Sequence, residues 1–304
     1  ALLFAGRVLM GAGVAGAFVC TMKFLADNFE GERFATLSGI TSLIGNAGGM
    51  TAQAPLALLV AALTWRWSFV LLGCVSLLLS LLCFLVLPRR GRRSFSLPML
   101  QKGLRNVFST GAMYSLSLNY LASQACFLAL SGTWGISYLR AVHRIDGAPL
   151  MTLLAAGVMA GAVAAGKLSD LWRSRKKPLC FFALAHFFMW GLLVYLPGPF
   201  PRPGLAVLLG GIGFFAGALV IPWSVARELN FPEHTGLSIA VMNTVAFLAV
   251  AVLTSSMGRV LDSAAALPPA DAWRHVLLLP LAVSVAGLVG ALLTPETFGR
   301  KKTG

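Results

Sequence analysis

The residues that could do chemistry are few. The stretch GKLSDLWRSRKKPL, Gly166 to Leu179, holds one acid, Asp170, among five basic residues: Lys167, Arg173, Arg175, Lys176 and Lys177. A carboxylate beside a helix mouth is favoured by backbone N–H groups and the positive end of the helix dipole, by about 0.3–1 kcal/mol when exposed and about 2 when partly buried. Arg7 stands inside an apolar segment, where insertion at mid-membrane costs about 2.5–3.5 kcal/mol. Such an Arg faces a cavity or a partner, or else snorkels to an interface. Among uncharged polar residues, Ser115, Asn119 and Ser123 fall within about 80° of one another at 100° per residue, with Gln124 further round. Asn46, Gln53 and Asn243 are similar in kind. Each of these can hydrogen-bond a neighbouring helix or a polar solute, and both readings stand.

Enzyme chemistry has no constellation to rest on. The four histidines, His143, His186, His234 and His275, are scattered, with no Cys or carboxylate at metal-ligand spacing to them. There is no nucleophile elbow or phosphate loop, so the expectation is no enzyme, no metal and no cofactor. The five cysteines, Cys20, Cys74, Cys83, Cys126 and Cys180, lack paired spacing and read as small apolar packing residues. His186 reads as a packing or lipid-facing residue rather than a proton relay.

The elements that must position these groups are membrane helices. Apolar residues make up 58% of the 304 and charged residues 11%, with a mean hydropathy of +0.82, which excludes a water-soluble globule. Apolar windows of about 18–25 residues match the length a helix needs to cross roughly 30 Å of hydrocarbon. They run over Ala1–Leu25, Ala35–Ala62, Trp67–Leu87, Val107–Leu130, Pro149–Gly166, Leu179–Leu196, Gly204–Ala226, Gly236–Met257 and His275–Leu293, so the expected fold is all-α, a polytopic bundle with about nine spans. All 10 acids fall in connectors or at helix ends, as the cost of a carboxylate in hydrocarbon requires. Trp65, Trp67, Trp134, Tyr138 and Trp273 cluster at outer ends, as in an interfacial aromatic belt.

A net charge of +14 would suit nucleic acid, but its distribution follows topology instead. With alternate connectors on one side, that side holds Lys23, Arg33, Arg89, Arg90, Arg92, Arg93, Lys102, Arg105, Lys167, Arg173, Arg175, Lys176, Lys177, Arg227, Arg300, Lys301 and Lys302. The other side holds Arg66, Arg140, Arg144, Arg202, Arg259 and Arg274. By the positive-inside rule the richer side is cytoplasmic, and it includes the gate-like stretch and the C-terminus.

An internal repeat organises the chain. VLMGAGVAGAFV, Val8 to Val19, can be laid over VLLGGIGFFAGALV, Val207 to Val220, and an acidic turn follows each copy. The next helix then carries a polar Asn, Asn46 or Asn243. The offset of about 200 residues accommodates six helices with connectors, and parallel repeats are a transporter architecture. Three helices precede the second copy within its repeat, so three are expected ahead of the first. A complete nine-helix protein is the alternative. Between the halves, PRRGRRSFSLPMLQKGLRN, Pro88 to Asn106, reads as a basic linker that lies on anionic headgroups or simply sets topology. Gly45 with Gly49, Gly157 with Gly161 and Gly213 with Gly217 are GxxxG pairs, read as close helix contacts.

Three segments carry a family resemblance. GKLSDLWRSRKKP resembles the cytoplasmic gate motif of the major facilitator superfamily in the copy joining the eighth and ninth of twelve helices. GRVLMGAGVAGA resembles the family's fourth-helix Arg and glycine motif, with Arg7 in the Arg place. GNAGGMTAQAPL followed by WRWSF resembles its fifth and sixth helices. There are departures: Leu171 stands for the usual Arg, Arg173 for the usual Gly, and Pro178 lies one residue late. The fifth-helix segment lacks the Gly-Pro step of proton-driven antiporters, so a drug-efflux reading is weakened.

The resemblance implies a truncated chain of family helices 4–12: a partial N-terminal half at 1–88, a linker at 89–106 and a six-helix half at 107–304. It implies movement of a small solute by alternating access, with or without a coupling proton or ion. The chain would be a multi-pass monomer in a bacterial-type inner membrane, with a lipid bilayer and no nucleic acid as partner. Gly166, Asp170, Arg173, Arg175 and Lys176 would form the cytoplasmic gate, Asp170 latching onto a helix end near residues 31–35. Arg7, Asn46, Gln53, Ser115, Asn119, Ser123, Gln124 and Asn243 would be the solute pathway. The alternative is a truncated, transport-inactive polytopic protein or scaffold.

Overall fold

The computed structural model describes residues 2–29, 37, 40–41, 43–45, 47–49, 51–52, 54–87, 97–195, 201–231 and 234–299. Among these residues every regular element is helical. α1 (Leu2–Ala15) runs through Gly16 into α2 (Ala17–Asn28), of whose described side chains Met22 and Leu25 are buried. α3 (Ala54–Val86) fuses the end of the second expected span with the whole of the third. The expected connector at residues 63–66 shrinks to one corner at Thr64, with φ 68° and ψ 158°. A β-branched residue at positive φ is costly, and the corner is braced by Ser68, whose hydroxyl donates to the Thr64 carbonyl at 2.8 Å. The Arg66 guanidinium lies 4.6 Å over the Trp65 ring.

The second part of the linker is itself a helix, α4 (Leu97–Ser109). Pro98 does not prevent it because it sits in the first turn, where a missing N–H is not needed. After a break at Thr110, α5 (Ala112–Leu128) passes through a π-helical turn (Ala129–Trp134) into α6 (Gly135–His143). This run starts later and extends further than the expected span at 107–130. α7 (Ala148–Leu171) and α8 (Lys176–Tyr195) flank the gate-like loop. α9 (Arg202–Ala216) continues through a short 3₁₀ turn (Gly217–Leu219) into α10 (Val220–Leu229), and α11 (Thr235–Ser263) and α12 (Pro269–Leu293) complete the bundle.

Six helical runs among the described residues are long and apolar enough to cross a membrane: Pro55–Val86, Ala148–Leu171, Lys176–Tyr195, Arg202–Leu229, Thr235–Ser263 and Pro269–Leu293. The difference from nine has identifiable sources. The first expected span gives only a shorter apolar helix, Phe4–Val14. Much of the second lies outside the described residues. The fourth is divided by its π turn.

Packing concentrates in the second half of the chain. α7 lies against α9, α5 against α11 and α12, and α12 against α8. The α7–α9 seam is made of glycine. A Cβ on Gly157 would strike the Gly210 carbonyl oxygen, one on Gly161 the Phe214 carbonyl oxygen, one on Gly213 the Leu154 carbonyl oxygen, and one on Gly217 the Val158 carbonyl oxygen. Two GxxxG pairs read from sequence thus face each other, and backbone touches backbone. At Gly45 and Gly49, by contrast, an added Cβ meets no described atom within 4 Å.

Candidate functional site

The gate-like loop is a tight reversal between α7 and α8. The Ser174 N–H returns to the Ser169 carbonyl at 3.1 Å and the Arg173 N–H to the Asp170 carbonyl at 3.2 Å. The reversal places Arg173 at φ 45°. This is left-handed backbone, which explains why glycine suits the position and why an L-residue there is costly. At Gly166 an added Cβ meets nothing within 4 Å.

Arg175 is the hub. Its guanidinium donates to the Ser169 hydroxyl at 2.9 Å, to Asp170 Oδ1 at 3.1 Å and to Glu228 Oε1 at 3.1 Å, and it stacks 4.9 Å over the Phe298 ring. Glu228, near the end of α10, also accepts from the Thr297 hydroxyl at 2.6 Å. One planar cation therefore ties the end of α7 and the start of α8 to α10 and the segment after α12. A forked donor suits this better than a point charge. The side chains of Arg175 and Glu228 keep 19% and 16% of their exposure, whereas Asp170 keeps 72%.

Glu296 caps α8. Its Oε1 accepts from the backbone N–H of Arg175 at 2.8 Å, Thr297 at 2.9 Å and Phe298 at 3.0 Å. Its Oε2 accepts from the Lys176 N–H at 3.3 Å and from the Ser174 hydroxyl. A carboxylate at a helix N-terminus satisfies orphan donors and meets the positive end of the dipole. Desolvation would raise its pKa, but the Ser174 hydroxyl and the N–H groups of Arg175, Phe298 and Lys176 bring it down to about 2. Lys176 enters the site through its backbone.

The expected partner of Asp170, near residues 31–35, lies outside the described residues; among those described its ion pair is with Arg175. Ser174, Glu228, Glu296, Thr297 and Phe298 were not singled out from sequence. The available signal was that Glu228 and Glu296 are acids at helix ends on the same side as the basic loop.

Two members of the polar stripe on α5 meet the α12 side of the bundle. The Asn119 amide donates to the Gly287 carbonyl of α12 at 3.0 Å, and the Thr294 hydroxyl donates to Ser115 Oγ at 3.3 Å. Ser115 and Asn119 therefore serve the α5–α12 contact, where a Cβ on Gly290 would meet the Ser115 carbonyl oxygen at 2.6 Å. Ser123 is buried and Gln124 half-buried. On the opposite side, the Tyr120 hydroxyl donates to Asn243 Oδ1 of α11 at 2.6 Å, and its ring lies 6.2 Å from Trp223 of α10. Tyr120 and Trp223 add to Asn243 a polar group that joins three helices. Arg7 belongs to α1 by its backbone; its side chain, with Asn46 and Gln53, lies outside the described residues.

His186 is buried and accepts from the Trp190 indole N–H at 3.0 Å, as a packing histidine does. The expected aromatic belt splits: Trp65 and Trp67 are exposed, but Tyr138 and Trp273 are buried. Their rings lie 5.6 Å apart as part of the bundle core.

The profile described as Major Facilitator Superfamily matches residues 1–255. Among solved structures, one match is the crystal structure of a bacterial homolog of the human lysosomal transporter Spinster, in an inward-facing and unoccupied conformation. The TM-score is 0.53 at 16% identity, over 90% of this chain and 72% of that one. No curated protein matches.

Proposed function

This chain belongs to the major facilitator superfamily, and from that premise we propose that it moves a small solute across the membrane by alternating access of two helical halves. The observation that carries the proposal is the Arg175 cluster, in which one cation joins four parts of the bundle at a single membrane face. Such a cluster makes that face a rigid plate. Arg175 also orients Asp170, and the 72% exposure of that carboxylate presents it outward to another element. Gly166, Asp170, Arg173, Arg175 and Lys176 thus form the gate loop, with Glu228 and Glu296 as its anchors.

The solute path runs past Asn243, Tyr120 and Trp223, with Ser123 and Gln124 on the same helix as Tyr120, and takes Arg7, Asn46 and Gln53 from the first part of the chain. A single intramembrane Arg favours an anionic or zwitterionic solute. The basic connectors support a cytoplasmic gate loop and C-terminus, and in this reading the protein is a multi-pass monomer in a bacterial-type inner membrane.

The test is thermal stabilisation of the purified protein across a metabolite panel, followed by flux of the hit in proteoliposomes. Arg175→Gln is expected to lower flux about tenfold, equivalent to roughly 1.4 kcal/mol on the limiting barrier, while leaving solute-induced stabilisation in place. Unchanged flux in that variant removes the gate role. No stabilisation and no flux with any solute favours a transport-inactive scaffold.

A further inference from the structure

The amphipathic helix α4 lies outside the gate and the solute path, and its two exposed faces differ in kind. At 100° per residue, Leu97, Leu100, Leu104 and Phe108 share one sector, flanked on one side by the buried Gly103 and Val107 and on the other by a polar sector carrying Arg105 and Lys102. Gly103 fixes the seat: a Cβ there would strike Leu237 at 2.8 Å and crowd the His234 ring at 3.3 Å, at the mouth of α11. Leu97, Phe108 and Tyr114 stay about half exposed, at 59%, 49% and 59%.

Two observations favour a lipid surface as the partner of this apolar strip. Tyr114, in the first turn of α5, donates its hydroxyl to the Phe108 carbonyl at 2.9 Å, and the two rings lie 6.4 Å apart. The strip therefore runs up to the start of α5, and Tyr114 brings to it an aromatic group of the sort enriched at interfaces. Beside Tyr114 an open cleft of about 520 Å³ lies between Gly111, Ala112, Ser115 and Leu118 of the α5 end and Leu293 and Pro295 of the α12 end. Arg105 stands one helical turn before Phe108. Neither it nor Lys102 forms an ion pair among the described residues, and both are exposed.

We infer that α4 is an interfacial lipid-binding helix: Leu97, Leu100 and Phe108 enter the acyl boundary while Lys102 and Arg105 hold the phosphates of anionic phospholipids. Because α4 is seated on His234 and Leu237, headgroup binding bears directly on the mouth of α11. The inference shares with the transport reading only the assignment of the basic face to an anionic leaflet, and it is tested without transport.

The test is hydrogen–deuterium exchange of the full protein in nanodiscs of phosphatidylcholine, with and without phosphatidylglycerol. With phosphatidylglycerol, amides of 97–109 should exchange about 30-fold more slowly, as two cations worth about 1 kcal/mol each at an anionic surface imply. The difference should vanish in about 1 M salt, where the Debye length is near 3 Å, and in the Lys102→Gln, Arg105→Gln double variant. Protection of α7 and α9 amides reports that the variant is folded. Equal exchange in the two discs overturns the inference, whether α4 is open in both or held in both by its α11 seat alone.

Discussion

α3 and α7 are both long apolar helices, yet they bury opposite amounts of themselves. Among the described side chains of α3 only Ser68 is buried, while α7 sinks Met151, Leu154, Ala155, Val158, Gly161, Ala165 and Ser169. α3 is the more apolar of the two, so apolarity alone does not set burial; glycine does. α3 is rich in leucine and has Gly73 as its one glycine, whereas α7 carries Gly157 and Gly161 toward Gly210, Gly213 and Gly217. In a bilayer a leucine gains little by exchanging lipid for another leucine, so helices associate where small residues let backbones close. Hydropathy thus tells where the chain crosses, and small-residue spacing tells what it meets there.

The sharpest way to break this contrast is a pair of matched substitutions. Gly161→Leu should push α7 off α9 and destabilise the bundle by about 3 kcal/mol, at the upper end of ordinary overpacking costs. Gly73→Leu, at a site where a Cβ meets nothing within 4 Å, should change stability by less than about 0.5 kcal/mol. Thermal melts of both in one lipid decide the matter, and equal losses would remove the distinction between the helices.

The gate-like loop offers a smaller handle, through pH. The Glu296 carboxylate falls from a reference value of 4.5 to about 2 in the fold, so it contributes stability that is complete above its unfolded value and is lost as pH falls through about 2. Melts between neutral pH and the acid limit should show this loss, and Glu296→Gln should lower stability at neutral pH while flattening that acid limb. The smallest effect concerns backbone alone. Arg173→Gly, at φ 45°, should stabilise by up to about 1 kcal/mol by removing the left-handed penalty of an L-residue, again read as a shift in melting.

The α7–α9 seam was legible because GxxxG is a local pattern with one physical meaning in a membrane. The corner at Thr64 was not, since TWRW reads as a connector and nothing in it says that one residue suffices to turn the chain. The stripe of Ser115 and Asn119 was visible as a face, but a face does not name its neighbour, and here it is α12. Tyr120 was not singled out, although its hydroxyl reaches Asn243. The anchors of Arg175 were the hardest: Glu228 and Glu296 stand 53 and 121 residues further along the chain, a separation that no spacing argument bridges. Asn46 and Gln53 remain beyond this comparison because they fall outside the described residues.

That separation of 121 residues between Arg175 and Glu296 also sets a schedule for biogenesis. At roughly 5–20 residues per second, translation takes about 6–24 s to pass from one to the other. Through that interval α8 stands in the nascent chain with its first N–H groups uncapped by Glu296 and Arg175 still lacking its Phe298 platform. The loop closes only when α12 has been made and the segment behind it has swung back to the membrane face where α8 began. A chain that stops within α12 therefore lacks both the Glu296 cap on the first N–H groups of α8 and the Phe298 ring over Arg175.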